Sequence, residues 1–135
     1  MAFVFIYAKK GGEKMKKDPT RDYIISAFKL YAVMKNPSLS EIEKMNYDIS
    51  VKQDLIAVSK TLDYLLCSGK AETCKAVEEI YFHDNKQGEI NRRVLAFAQE
   101  NYISERNVWR MLNTACKICA IFRGLNIKSI KEFMK

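Results

Sequence analysis

Arg106, Asn107, Arg110 and Asn113 stand close together in the chain and carry the side-chain groups best suited to pairing with nucleobase edges. A guanidinium reaches the two major-groove acceptors of guanine as a fork, and a carboxamide matches the donor and acceptor of adenine. Each good pair contributes about 1–3 kcal/mol of discrimination. Around them lie groups that hold phosphate or support the reader: Asn91, Arg92 and Arg93 upstream, Ser104 at the near boundary, Trp109 among them and Lys117 downstream. Trp109 either packs on a sugar or thymine methyl or is half-buried structure. Glu105 either accepts from cytosine or complements a helix dipole. Side chains of this kind read DNA only when a rigid element presents them together, so the surrounding pattern decides the matter.

That pattern is a pair of helices meeting at a tight polar turn, a helix-turn-helix over about 89–123. On the first helix Ile90, Val94, Leu95, Phe97 and Ala98 supply the apolar positions, while Asn91, Arg92 and Arg93 gather at its N-terminal end, where amides and arginines hold phosphate. Asn101-Tyr102-Ile103 turns the chain, and Ser104 has the chemistry of an N-cap. On the last helix Val108, Leu112, Ala115, Cys119 and Phe122 recur at steps of four and three and predict one buried face. The opposite face presents Glu105, Arg106, Trp109, Arg110, Asn113 and Lys117. A helix so arranged can stand its N-terminal end in a major groove.

Charge agrees with a polyanionic partner. The 135 residues carry a formal charge of +7 and a pI near 9.2. From Glu89 onward there are nine Lys or Arg residues against four acids, so most of the surplus lies at this end. A second cluster, Lys9, Lys10, Lys14, Lys16 and Lys17, reads as a solvated basic extension over 1–17, whose apolar opening is a short strand, a peptide packed on the helices or an extension ahead of an alternative start at Met15. Its apolar start, Ala2 to Ala8, lacks the flanks of a signal peptide, and no apolar run approaches a membrane span of about 20 residues. The expected location is therefore the cytoplasm, with the four cysteines reduced.

Two prolines and five glycines leave little of the turn chemistry that a sandwich or barrel needs. The expected fold is all-α, a single helical domain over 18–135 of five to six helices ending in the helix-turn-helix. Asp18-Pro19 opens a helix to about Lys35, with Tyr23, Ile24, Ala27, Phe28, Tyr31 and Met34 on one face. Ser38 or Ser40 caps a short helix to about Asn46, and Ser40 carries the capping-box spacing. A third helix runs from about Ser50 to Cys67. Val51, Leu55, Val58, Leu62 and Leu65 form its stripe, Ile56 and Leu66 widen it, and Lys52, Asp54, Lys60 and Asp63 face away. Ser68-Gly69 stops it, a fourth helix carries Cys74, Val77, Ile80 and Tyr81 inward, and His83 to Gly88 is a polar loop.

Other chemistries find less support. Cys116-Lys117-Ile118-Cys119 has the spacing of half a zinc site, but Cys67, Cys74 and His83 do not complete it at the usual intervals, and Cys119 already belongs to the buried stripe. The single histidine has no recognisable nucleophile beside it, and there is no glycine-rich phosphate loop. Neither an enzyme nor a bound cofactor or metal is expected.

The stretches Leu55 to Val58 with Thr61-Leu62, Val77 to Phe82, Gly88 to Val94 and Ser104 to Arg110 resemble the phage-encoded RinA/ArpU-type regulators, whose helix-turn-helix is like region 4 of sigma-70 factors. The likeness spans roughly the last eighty residues, with Arg21-Asp22-Tyr23 to Pro37 matching less specifically. It implies a sequence-specific DNA-binding regulator of phage or prophage late genes, with the recognition role on Ser104 to Asn113. The chain departs from the usual pattern at Asn107, Cys116 and Cys119, which bears on target sequence and core detail. Double-stranded DNA is the implied partner, with a homodimer or host RNA polymerase as further partners. Two alternatives use the same hairpin: a DNA-packaging protein of the small terminase kind, and a regulator that binds RNA polymerase.

Overall fold

The computed structural model describes residues 18–83 and 88–125. The expected basic extension over 1–17, positions 84–87 of the polar loop, and Lys128, Lys131 and Lys135 lie outside them. Among the described residues there are six helices and no strand: α1 (Pro19–Val33), α2 (Leu39–Lys44), α3 (Ile49–Cys67), α4 (Ala71–Ile80), α5 (Glu89–Asn101) and α6 (Glu105–Arg123). None of them is long and apolar enough to cross a membrane.

Local chemistry sets most of the boundaries. The Asp18 carboxylate accepts the Arg21 amide at 3.1 Å and Pro19 takes the first helical position, where its missing N–H costs nothing. Ser38, not Ser40, caps α2. Its hydroxyl accepts the Glu41 amide while the Glu41 carboxylate accepts the Ser38 amide at 2.8 Å, because only this register closes the box reciprocally. α3 ends where Gly69 adopts a left-handed conformation and the Lys70 amide returns to the Leu65 carbonyl at 2.8 Å.

The fold is built around α6, which packs against α1, α3, α4 and α5, most extensively against α3. Its inward residues are small where neighbours crowd in: Ala115, Cys116, Cys119 and Ala120 are all fully buried. Cysteine at two of these positions acts as a compact apolar filler. The core continues through Ile24, Phe28, Leu55, Val58, Leu65, Val77, Ile80 and Phe97, with the Phe28 and Tyr81 rings stacked at 6.0 Å. At about 25 cal/mol per Å² of apolar area removed from water, this burial is the main force holding the helices together.

Five expectations about which side chains face inward are corrected, and two of them are Tyr23 on α1 and Leu95 on α5, both exposed. Phe122 is 42 % exposed and meets Tyr64 edge-on at 6.2 Å, while Cys116 and Ala120 take the interior places. A strict four-three stripe drifts around a helix of 3.6 residues per turn, so a position near the far end rotates out of the core. Asp54 does not face away: it accepts the Tyr23 hydroxyl at 2.7 Å and Arg123 Nε at 2.6 Å, and Arg123 also reaches the Ser50 hydroxyl at 3.3 Å. These polar groups tie α1, α3 and the end of α6 together. Leu66, expected to widen the α3 stripe, is exposed.

Candidate nucleic-acid interface

The turn between α5 and α6 is short and specified by backbone geometry. Tyr102 takes the left-handed conformation at φ 57°, and the Ile103 amide donates back to the Ala98 carbonyl at 3.0 Å, closing the C-terminus of α5. Ile103 tucks partly against the core. Ser104 then caps α6, its hydroxyl accepting the Asn107 amide at 3.1 Å. Tyr102 is 95 % exposed, so its side chain contributes nothing to packing. A three-residue connection closed in this way fixes the angle at which α6 leaves α5.

Beyond that turn, Val108 and Leu112 anchor the first half of α6 in the core, and the second half is held among α1 and α3 by its small residues. The helix is therefore a rod gripped at its C-terminal end and along one side, with its opposite side open near the N-terminus.

The expected base readers divide. Arg106, Asn107 and Arg110 are exposed. Asn113 is 7 % exposed, and its Oδ1 is buried without a hydrogen-bond partner among the described residues. Its assignment as a base reader is corrected: the carboxamide lies on the flank of the buried face, where its neighbours cover it. Thr114, the next residue, takes the more outward place, although its hydroxyl is used in donating to the Arg110 carbonyl at 2.9 Å. Trp109 is partly buried against the core, the structural alternative of the two open to it, with part of its surface still accessible.

Among the supporting residues, Asn91 and Arg92 are exposed at the start of α5, and Arg92 pairs loosely with Glu89 at 3.9 Å. Arg93 and Lys117 are half-buried. Gly88, at φ 84°, occupies the N-cap of α5 and supplies no side-chain cap.

Arg106, Arg110 and Lys117 fall on one stripe of α6, spaced by four and seven residues, and none forms an ion pair among the described residues. Arg123, one turn and a half beyond Lys117, differs. Its guanidinium is spent on Asp54, whose hydrogen bond is also the main cause raising its pKa. Arg106 and Arg110 thus stand exposed on the open part of the helix, Lys117 is half-buried farther along, and Arg123 is paired at the gripped end.

Sequence reasoning missed Lys70. The start of α4 lies beside α6, and Lys70, Glu72, Thr73, Ile103, Asn107 and Arg110 contribute to a cleft of about 300 Å³ between the two helices. Nothing in the local pattern around Ser68-Gly69-Lys70 signals this proximity, which arises from the packing of α4 on α6.

The cysteines sit away from this surface. Cys116 and Cys119 are fully buried, and burial pushes the Cys119 thiol up to about 12 and the Cys116 thiol in the same direction. Cys74 is likewise pushed up, to about 11, whereas Cys67 is exposed at the end of α3. Thiols held protonated in an apolar interior are poor nucleophiles and poor ligands. Comparison with family models, with curated proteins and with solved structures finds no match to this chain.

Proposed function

We propose that this protein is a sequence-specific DNA-binding transcriptional regulator that enters the major groove with the N-terminal half of α6. One observation carries the reading: Arg106 and Arg110 are exposed, without an ion pair among the described residues, on the open side of a helix whose other side is locked into the core. Unpaired arginines on a rigid helix are the groups that pair bidentately with guanine, and Asn107 beside them is suited to adenine. Arg106, Asn107 and Arg110 read bases; Asn91, Arg92, Arg93 and Lys117 hold the backbone. Ser104 fixes the start of the reading helix.

The sequence resemblance to RinA/ArpU-type regulators extends the proposal to late genes of a phage or prophage, acting in the cytoplasm of a bacterial host. A single helix-turn-helix reads few base pairs, so a homodimer or a contact with host RNA polymerase supplies the remaining affinity.

Fluorescence anisotropy with a labelled duplex over a salt series tests the reading. The wild-type protein binds with an affinity that falls steeply as salt rises, since each phosphate neutralised contributes about 0.9 to the slope. Replacing Arg106, Arg110 and Lys117 together by alanine removes most of that binding while the circular dichroism spectrum stays helical. Wild-type protein that ignores duplex DNA at low salt contradicts the proposal and turns attention to RNA polymerase.

A further inference from the structure

The cleft between α4 and α6 brings a second cation to the edge of the open stripe. Lys70 and Arg110 both line it, from different helices, and neither forms an ion pair among the described residues. Asn107 lines it as well, with a carboxamide that can donate, and Ile103 and Met111 form apolar parts of the wall. Two cations without an ion pair among the described residues and a donor line one space that a tetrahedral anion can enter, and Arg110 belongs both to this cleft and to the outward stripe. Glu72 on the same wall opposes an anion, which makes the balance of charge in the cleft a testable quantity.

We infer that this cleft seats a backbone phosphate of the duplex that α6 reads, with Lys70 as its principal cation. The inference rests on the DNA-binding reading and extends it to a third helix. α4 becomes part of the interface, clamping one strand's backbone while the stripe of α6 faces the groove. A phosphate held there positions α6 but carries no sequence information, so Lys70 governs how tightly the protein binds rather than which sequence it chooses. No side chain caps the start of α4, so its first amides add favourable partial charge at the same end.

The test measures affinity of the full chain for a labelled 30-base-pair duplex, roughly three helical turns and long enough for one helix-turn-helix and its flanks, in wild type and in Lys70→Gln, Lys70→Arg and Glu72→Gln. Lys70 and Glu72 are exposed, so these variants keep the fold, which circular dichroism verifies. Lys70→Gln is expected to lower the salt slope by about 0.9, so that the fall in affinity between 50 and 200 mM salt shrinks roughly 3- to 4-fold. The loss should be the same for a selected and a scrambled duplex. Lys70→Arg restores the slope, and Glu72→Gln tightens binding, an effect that a purely structural role for α4 does not produce. An unchanged slope in Lys70→Gln, with wild-type binding intact, overturns the cleft's role and leaves the DNA reading standing. A loss confined to the selected duplex also overturns it, since that marks Lys70 as a base reader. Wild-type protein that binds neither duplex overturns both.

Discussion

Asn113→Leu tests whether this side chain is buried structure or a reader of bases, because the two roles predict opposite outcomes. Asn113 is 7 % exposed and its Oδ1 has no hydrogen-bond partner among the described residues. Leaving a neutral acceptor buried and unpaired costs about 1–3 kcal/mol. Leucine has the same number of side-chain heavy atoms in the same branching, and fitting its tetrahedral end in place of a planar one returns up to roughly 1 kcal/mol of that gain. The expected net effect is a stabilisation of about 1 kcal/mol, which in a domain of this size raises the thermal midpoint by roughly 3–5 °C. Thermal and urea denaturation followed by circular dichroism measure it, and binding selection on the same variant shows whether the preferred DNA sequence changes. A more stable protein with an unchanged motif is the predicted result. A lower midpoint together with a lost adenine preference refutes the reasoning, because it means that the carboxamide works at the surface.

Further outcomes follow from other parts of the fold. Ser104→Ala removes the hydroxyl that accepts the Asn107 amide and should cost about 1 kcal/mol in urea denaturation, with the start of α6 fraying first in hydrogen exchange. Arg110→Ala should relax base preference, whereas Lys117→Ala should weaken all sequences alike and lower the salt slope by about one; equal affinity of wild type and Arg110→Ala across a random pool removes Arg110 from the readers. Arg123→Ala strips Asp54 of its charged partner in a pair that is mostly buried and should cost about 2 kcal/mol without altering DNA preference. Thiol labelling of the native protein should modify Cys67 and spare Cys74, Cys116 and Cys119, all of which become reactive in denaturant. The Cys119 thiol is raised in the folded protein from its ordinary value of 9.0 to about 12. The unfolded chain therefore releases protons first, and stability measured by urea should fall as pH rises above about 9.

Local signals in the sequence were enough to place the elements. Asp18-Pro19, Gly69 and Ser104 act within a few residues of the bonds they form, so the helix starts and stops they announce are found where the chemistry puts them, whereas the capping box of α2 closes on Ser38 and Glu41 rather than at the Ser40 spacing. The all-helical class follows from the same signals. What lies between elements was less legible. The pairing of Asp54 with Arg123 joins residues far apart in the chain, and a carboxylate amid Lys52 and Lys60 looks like any solvated helix face until α6 arrives beside it. Asn113 is separated from Arg106 by about two turns, so the helical period alone puts it on the same face as Arg106; the neighbouring helices decide that it is covered. The place of Lys70 was invisible for a similar reason, since only the packing of α4 on α6 brings it into one cleft with Asn107 and Arg110. Arg106, Asn107 and Arg110, near the start of α6 and on its unpacked side, were readable because the Ser104 cap and the apolar stripe fix their direction without help from distant residues.

Binding selection from randomised duplex DNA at near-physiological salt tests the central claim most directly, run in parallel with wild type and with a variant changed at Arg106, Asn107 and Arg110. The account predicts a recovered motif that disappears in the variant, while Asn113→Leu recovers the wild-type motif. Tight wild-type binding with no motif contradicts sequence-specific reading and favours packaging or architecture, and a motif that survives loss of all three side chains removes α6 from the role given to it.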